Sequence, residues 1–180
     1  MAEHATFRNR LLSGLAYAGL MLLLLVIGIM PYEIWPRRFP GPDLMVTITF
    51  VWLMRRPELL ATPLVAAAFF IADILLMRPI GLWAVLMVLA TEFLRNRQKS
   101  VRERAFFAEW ALVSGVLFAA ALLNTIIIWV VFFEAVPLDR AMIHAASTML
   151  AYPLVAATAR LALGGAPVAT RDENAKGEAG

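Results

Sequence analysis

Leu11 to Met30 is a run of 20 residues without a charge. Folded as a helix it is about 30 Å long, the thickness of a bilayer hydrocarbon core. Arg8 and Arg10 precede it, and Pro31-Tyr32-Glu33-Ile34-Trp35 follows without a small-x-small cleavage pattern. The run is long for the apolar region of a secretory signal, so it reads as an uncleaved anchor. The rest of the chain agrees. Of its 180 residues 62% are apolar and 16% charged, against about 45–50% and about 25% in soluble globular domains. Mean hydropathy is +0.77. An ordinary cytosolic enzyme is excluded on these grounds.

The segment 31–43 (PYEIWPRRFPGPD) holds four prolines and one glycine and must be a loop or interfacial turn, with Tyr32, Trp35 and Phe39 at headgroup level. Beyond it the apolar segments predict one all-α, polytopic membrane bundle over 1–163. Its spans fall at 11–30, 44–58, 59–77, 80–94, 106–133 and 141–163, and 164–180 form a disordered cytoplasmic tail. The second span is strictly apolar only from Leu44 to Met54, and the third is interrupted by Pro63 and Asp73. Arg95 to Arg104 (RNRQKSVRER) carries five Lys/Arg and reads as a cytoplasmic loop.

Six spans with an internal N-terminus put 12 Lys/Arg on the cytoplasmic side and 4 outside. If the short second span does not cross, a five-span arrangement gives the same score, so the positive-inside rule fits both. Six is preferred, because Arg55 and Arg56 can snorkel to extend a short span and a basic N-terminus usually stays inside.

Charges within apolar spans are costly, and by default they mark function. In the six-span arrangement Asp43 opens span two on the outer side. Asp73 lies roughly 6 Å below the outer end of span three, and Arg78 closes that end. These three share one depth. They form either a salt-bridged structural cluster or a periplasm-facing pocket for a partner or small ligand. A second set (Glu58, Glu92, Arg95, Glu109 and Arg160) marks the inner edge, where Glu92 and Arg95 share a helix face. Asn124 and Thr125 near mid-depth do not titrate, which argues against a proton-coupled pump, and Asn124 is expected to bond a neighbouring helix. His144 is expected to be a hydrogen-bonded core residue and His4 a solvated one.

Small residues at four-residue spacing recur at Gly14/Ala18, Ala68/Ala72, Ala111/Gly115/Ala119 and Ala141/Ala145. Such stripes pack helices closely, either within the chain's own bundle or, most plausibly for Ala111, Gly115 and Ala119, against a partner membrane protein.

The sequence has no P-loop, GxSxG, HExxH or dinucleotide fingerprint. Zero cysteines and two histidines leave little for a metal site or cofactor. A net charge of +3 gathers into no basic face for nucleic acid. The chain therefore reads as non-catalytic, and an enzyme acting on lipids is the least favoured reading, since nothing pairs a nucleophile with its base.

Three stretches together carry a family resemblance. They are Pro42-Asp43 opening an apolar span that closes on RRPE (Arg55 to Glu58), ADILLMRPIGLWA (Ala72 to Ala84) and LATEFLR (Leu89 to Arg95). An aspartate followed by a Pro-x-Gly-Leu turn, here Asp73 with Pro79 and Gly81, resembles the rod shape-determining protein MreD family, closest to its alphaproteobacterial members. The motifs cover residues 42–95, while length and span count fit throughout. The resemblance implies an inner-membrane, non-enzymatic subunit of the cell-elongation machinery. It implies association with MreC, and indirectly with MreB and the RodA–class B penicillin-binding protein pair, in a setting of membrane lipids. It also implies a helical arrangement similar to the substrate-binding subunits of energy-coupling-factor transporters. The alternative is a small-solute or lipid-precursor binding subunit of a transporter, with Asp43, Asp73 and Arg78 lining its mouth.

Overall fold

In a computed structural model the chain is described over residues 2–30, 41–102, 106–132 and 137–162. Those residues form six α-helices: α1 (Ala2–Ile29), α2 (Leu44–Arg55), α3 (Thr62–Leu75), α4 (Leu82–Arg102), α5 (Phe106–Phe132) and α6 (Leu138–Ala162), with a 3-10 turn at Pro57–Leu59. Three contain stretches long and apolar enough to cross a membrane: Leu11–Ile29, Phe106–Val131 and Leu138–Leu161. The architecture is that of a helical membrane protein. The tail 164–180 lies outside the described residues.

The three long helices and the short ones have different surroundings. Leu15, Leu22, Trp129, Leu150 and Leu154 on α1, α5 and α6 are all exposed. Apolar surface of that extent is stable only against lipid or another protein. The 12-residue α2 instead buries Val46, Thr47, Thr49, Phe50, Val51, Leu53 and Met54. These positions cover a broad arc of the helix, wider than a single stripe, while Met45, Ile48 and Trp52 on the other side are half-buried. α2 packs on α6, α4 and α1, and contacts run in order from α1 through α3, α4 and α5 to α6. Tyr17, Phe50, Leu53, Phe69, Met87 and Leu94 fill the centre.

Two boundaries differ from the sequence reading for physical reasons. α4 does not stop at residue 94 but runs on to Arg102, because Gln98 and Arg95 turn inward and bond backbone carbonyls of the last turn of α2 and of the α2–α3 connection. The basic stretch is thus helix for most of its length. Pro63 does not interrupt a span. It sits in the first turn of α3, where its missing N–H costs nothing.

Pro153 is a true interruption, inside α6. Having no N–H, it leaves the carbonyl of Met149 without its intrahelical donor. The indole of Trp110 on α5 supplies one, with Nε1 donating to Met149 O at 3.1 Å. An unpaired carbonyl at this depth is expensive, so Trp110 and Pro153 act as a pair. We expect Trp110→Phe to destabilise the fold by about 1–2 kcal/mol, and to cost clearly less on a Pro153→Ala background. Unfolding of the four species in mixed micelles checks this, and equal losses on both backgrounds would contradict it.

Candidate functional site

One end of the bundle is built from the start of α2, the turn between α3 and α4, and the start of α6. Asp43 is the N-cap of α2. Its Oδ1 accepts from Val46 N–H at 3.1 Å, and its own N–H donates to Thr148 Oγ1 on α6 at 2.9 Å. Its Oδ2 lies 3.9 Å from Arg78 Nη1. The turn after α3 folds Arg78 back toward Asp43, held by a bond from Arg78 N–H to Asp73 O at 3.0 Å. Gly81 then takes φ +80°, a left-handed conformation suited to glycine, and its carbonyl accepts the first bond of α4 from Val85. The carbonyl of Pro79 closes the same turn onto Leu82 N–H at 3.2 Å.

Gly81 has no side chain with which to cap α4. Asp73 does so from the neighbouring helix, its Oδ2 accepting from Ala84 N–H at 3.1 Å. Asp73 is wholly buried, and its carboxyl faces the N-terminal, positive end of α4. The structure therefore brings Asp43, Asp73 and Arg78 together with two kinds of link. Arg78 pairs with Asp43 through its side chain and with Asp73 through its backbone.

Two clefts flank Arg78 and His144. One, of about 300 Å³, opens between α4, α5 and α6 and is lined by Trp83, Asn124 and Arg140 among others. The second, of about 360 Å³, lies between α1, α2 and α3 and includes Asp43 and Met30. Arg78 and His144 line both, whereas Asp73 lines neither. Asp73 is committed to helix capping, which removes it from the pocket that the sequence reading allowed it. Asn124 makes no hydrogen bond to a neighbouring helix among the described residues. It faces the first cleft.

At the opposite, basic end, Arg95 donates from Nη1 to Pro57 O at 3.0 Å and from Nη2 to Leu60 O at 2.8 Å. Its Nε lies 3.4 Å from Glu92 Oε1, which also accepts from the Thr62 hydroxyl. Gln98 Nε2 donates to Met54 O at 3.1 Å. Glu109 accepts from Tyr152 OH at 2.7 Å and lies 3.8 Å from Arg55. Arg160 sits 4.8 Å over the ring of Phe106, and Glu58 is exposed. These groups tie chain ends together. Among the described residues no group of three or more His, Asp or Glu is placed to hold a metal ion.

The small-residue stripes divide. Gly14 faces Leu64 of α3, where a Cβ would sit 3.7 Å from Cδ2, and Ala72 and Ala145 are buried. Ala111, Gly115 and Ala119 instead face outward and line an apolar groove of about 450 Å³ with Leu86, Leu89 and Phe93 of α4. They do not serve packing within the chain at this face. A Cβ at Gly115 would meet nothing within 4 Å.

The sequence reading missed the hydroxyls. Tyr17 OH and Thr49 Oγ1 are 2.9 Å apart at the buried contact of α1 and α2, and Thr49 also donates to Met45 O at 2.7 Å. Their signal is present as Thr47, Thr49 and Tyr17 standing alone in apolar runs, which in lipid need partners. Comparison with known proteins finds no matching family model, no matching curated protein and no matching solved structure.

Removing the cap is expected to be costlier than removing the charge. Asp73→Ala should lose about 1–2 kcal/mol of stability and loosen the first turn of α4. Asp73→Asn keeps an acceptor oxygen and should lose less. Amide exchange at Ala84 in micelles, with unfolding midpoints, reads both, and a loss in Asn equal to that in Ala would assign the role to charge.

Proposed function

We propose that this chain is a non-catalytic subunit of the bacterial inner membrane that binds MreC and helps organise lateral peptidoglycan synthesis, in indirect contact with MreB and the RodA–class B penicillin-binding protein pair. The resemblance of residues 42–95 to the MreD family supplies the assignment. The supporting observation is the groove between α4 and α5. Its walls are apolar, and the floor of small residues runs from Ala111 to Ala119. Two helical turns of α5 there admit close approach by a partner backbone, and this is how helices associate in lipid. The occupant is a transmembrane helix of MreC.

In this reading all six helices cross, in the arrangement of the energy-coupling-factor binding subunits. The 12 residues of α2 and 14 of α3 reach only about 18 and 21 Å, and the loops and side chains at their ends complete the crossing. The end bearing Arg55, Arg56, Arg95 and Arg97 is cytoplasmic, as positive charge favours. Both termini then lie in the cytoplasm. Reporter fusions should give a cytoplasmic signal at each, and an external N-terminus would require five spans.

Gly115→Leu fills the groove without touching the chain's own core, since the added side chain starts in open space. We expect it to leave the thermal midpoint in detergent unchanged and to abolish co-purification of MreC, as should Ala119→Leu. Undiminished co-purification would remove the groove as the binding face, and lipid would then be its occupant.

A further inference from the structure

The cleft between α4, α5 and α6 is rich in donors and poor in acceptors. Arg78, Trp83, Asn124, Arg140 and His144 line it, and among the described residues no carboxylate does. Trp83 is 8% exposed, and its Nε1 is buried with no hydrogen-bond partner among the described residues. A buried N–H without an acceptor carries the full cost of its desolvation. Asn124 and the Arg140 guanidinium likewise have no partner among the described residues. Arg78 has one ion pair, at 3.9 Å to Asp43, which does not line this cleft.

The nearby acids do not fill this need. Asp43 Oδ1 is held by Val46 N–H and Asp73 Oδ2 by Ala84 N–H; Asp73 Oδ1 is buried without a hydrogen-bond partner, but neither Asp43 nor Asp73 lines the cleft. Each faces a helix N-terminus, whose partial positive charge offsets it. The cleft of about 300 Å³ is thus lined by two guanidinium groups, a carboxamide and an indole whose buried N–H lacks a partner. A group that answers all of them needs several oxygens and negative charge. Phosphate has both, and guanidinium pairs with it in fork geometry. Of the remaining lining, Pro79, Ala121, Ile128 and Ala141 are apolar and the Thr125 hydroxyl is turned to Ala121 O, which suits the chain region of a lipid beneath its headgroup.

We propose that this cleft binds a phosphate group carrying net negative charge, either an anionic lipid headgroup or free phosphate. The site shares Arg78 with the sequence-predicted cluster but replaces Asp43 and Asp73 with Trp83, Asn124 and Arg140. It stands independently of the elongation-complex reading.

The test uses the full chain in mild detergent, titrated with dioleoylphosphatidylglycerol, dioleoylphosphatidylcholine or inorganic phosphate and read by native mass spectrometry. We expect one retained equivalent of phosphatidylglycerol, in preference to phosphatidylcholine. Retention should weaken about tenfold in Arg78→Gln/Arg140→Gln, fall by a smaller factor in Trp83→Phe, and be unchanged in Arg55→Gln at the opposite end. Displacement of the lipid by millimolar inorganic phosphate identifies phosphate itself as what is read. Failure to displace it assigns the lipid as the source, and both results uphold the site. Arg78 also pairs with Asp43, so if the double variant misfolds, Arg140→Gln alone decides, its side chain being exposed. Absence of binding by either anionic probe, equal retention of both lipids, or retention unaltered in Arg140→Gln and Trp83→Phe would overturn the proposal. None of these results bears on co-purification of MreC, so the two readings fail separately.

Discussion

The backbone cannot be left unpaired in lipid, and most of the specific side-chain chemistry in this protein follows from that constraint. Two of its apolar helices are much shorter than the three candidate spans. α2 has 12 residues and α3 has 14, against the roughly 20 a hydrocarbon core requires. Their ends and the connections between them expose N–H and C=O groups that need partners from elsewhere in the fold. Asp43 serves the start of α2. Asp73 serves the start of α4, where glycine offers nothing. Arg95 takes the carbonyls of Pro57 and Leu60 between α2 and α3, and Gln98 that of Met54 in the last turn of α2. Trp110 takes the carbonyl that Pro153 leaves open. Several of the polar residues that look functional in a hydrophobic sequence are thereby accounted for as repairs to the main chain.

This constraint also explains which parts of the structure could be read in advance. The long apolar runs at Leu11, Phe106 and Ala141 declare themselves through length and composition alone, which are local properties. The i,i+3 pair of Glu92 and Arg95 is local too, and the two side chains do meet. Asp43, Asp73 and Arg78 were placed at one depth by counting residues, and they converge. What each does was not legible, because the partner that decides it is far away in sequence. Arg95 finds Pro57 across 38 positions, Trp110 finds Met149 across 39, and Asp43 finds Thr148 across 105. Such pairings depend on how helices are arranged, and no spacing rule carries that information. The inward turn of Arg95 and Gln98 also misled the reading of RNRQKSVRER as a loop, since strongly basic composition suggests exposure when the fold is unknown.

The small-residue stripes make the same point in reverse. Four look equivalent in sequence, yet only Ala111, Gly115 and Ala119 are left facing outward. Gly14 is used against α3, and Ala72 and Ala145 are buried. A stripe is an opportunity for close approach, and the bundle has already used the others. An unused stripe beside bulky Leu86, Leu89 and Phe93 makes a groove rather than a flat face, since large side chains on α4 stand above a floor without them.

α4 is where these separate demands meet. Its first turn receives the Asp73 carboxylate and contributes Trp83 to the donor-rich cleft. Its middle supplies one wall of the groove, and its last turns reach back to close the α2–α3 connection. One helix cannot satisfy all of these with a single apolar stripe, and its sequence accordingly mixes Leu, Met and Phe with Thr, Glu, Arg and Gln. That mixture keeps α4 off the roster of helices apolar enough to cross by composition. Some of the polar residues responsible are bonded within the protein: Arg95 and Gln98 donate to backbone carbonyls and Glu92 accepts from Thr62, whereas Asn96 and Arg97 are exposed. Hydropathy scores both kinds alike, although only the second demands water. For a helix of this kind the relevant quantity is the number of polar groups left without a partner.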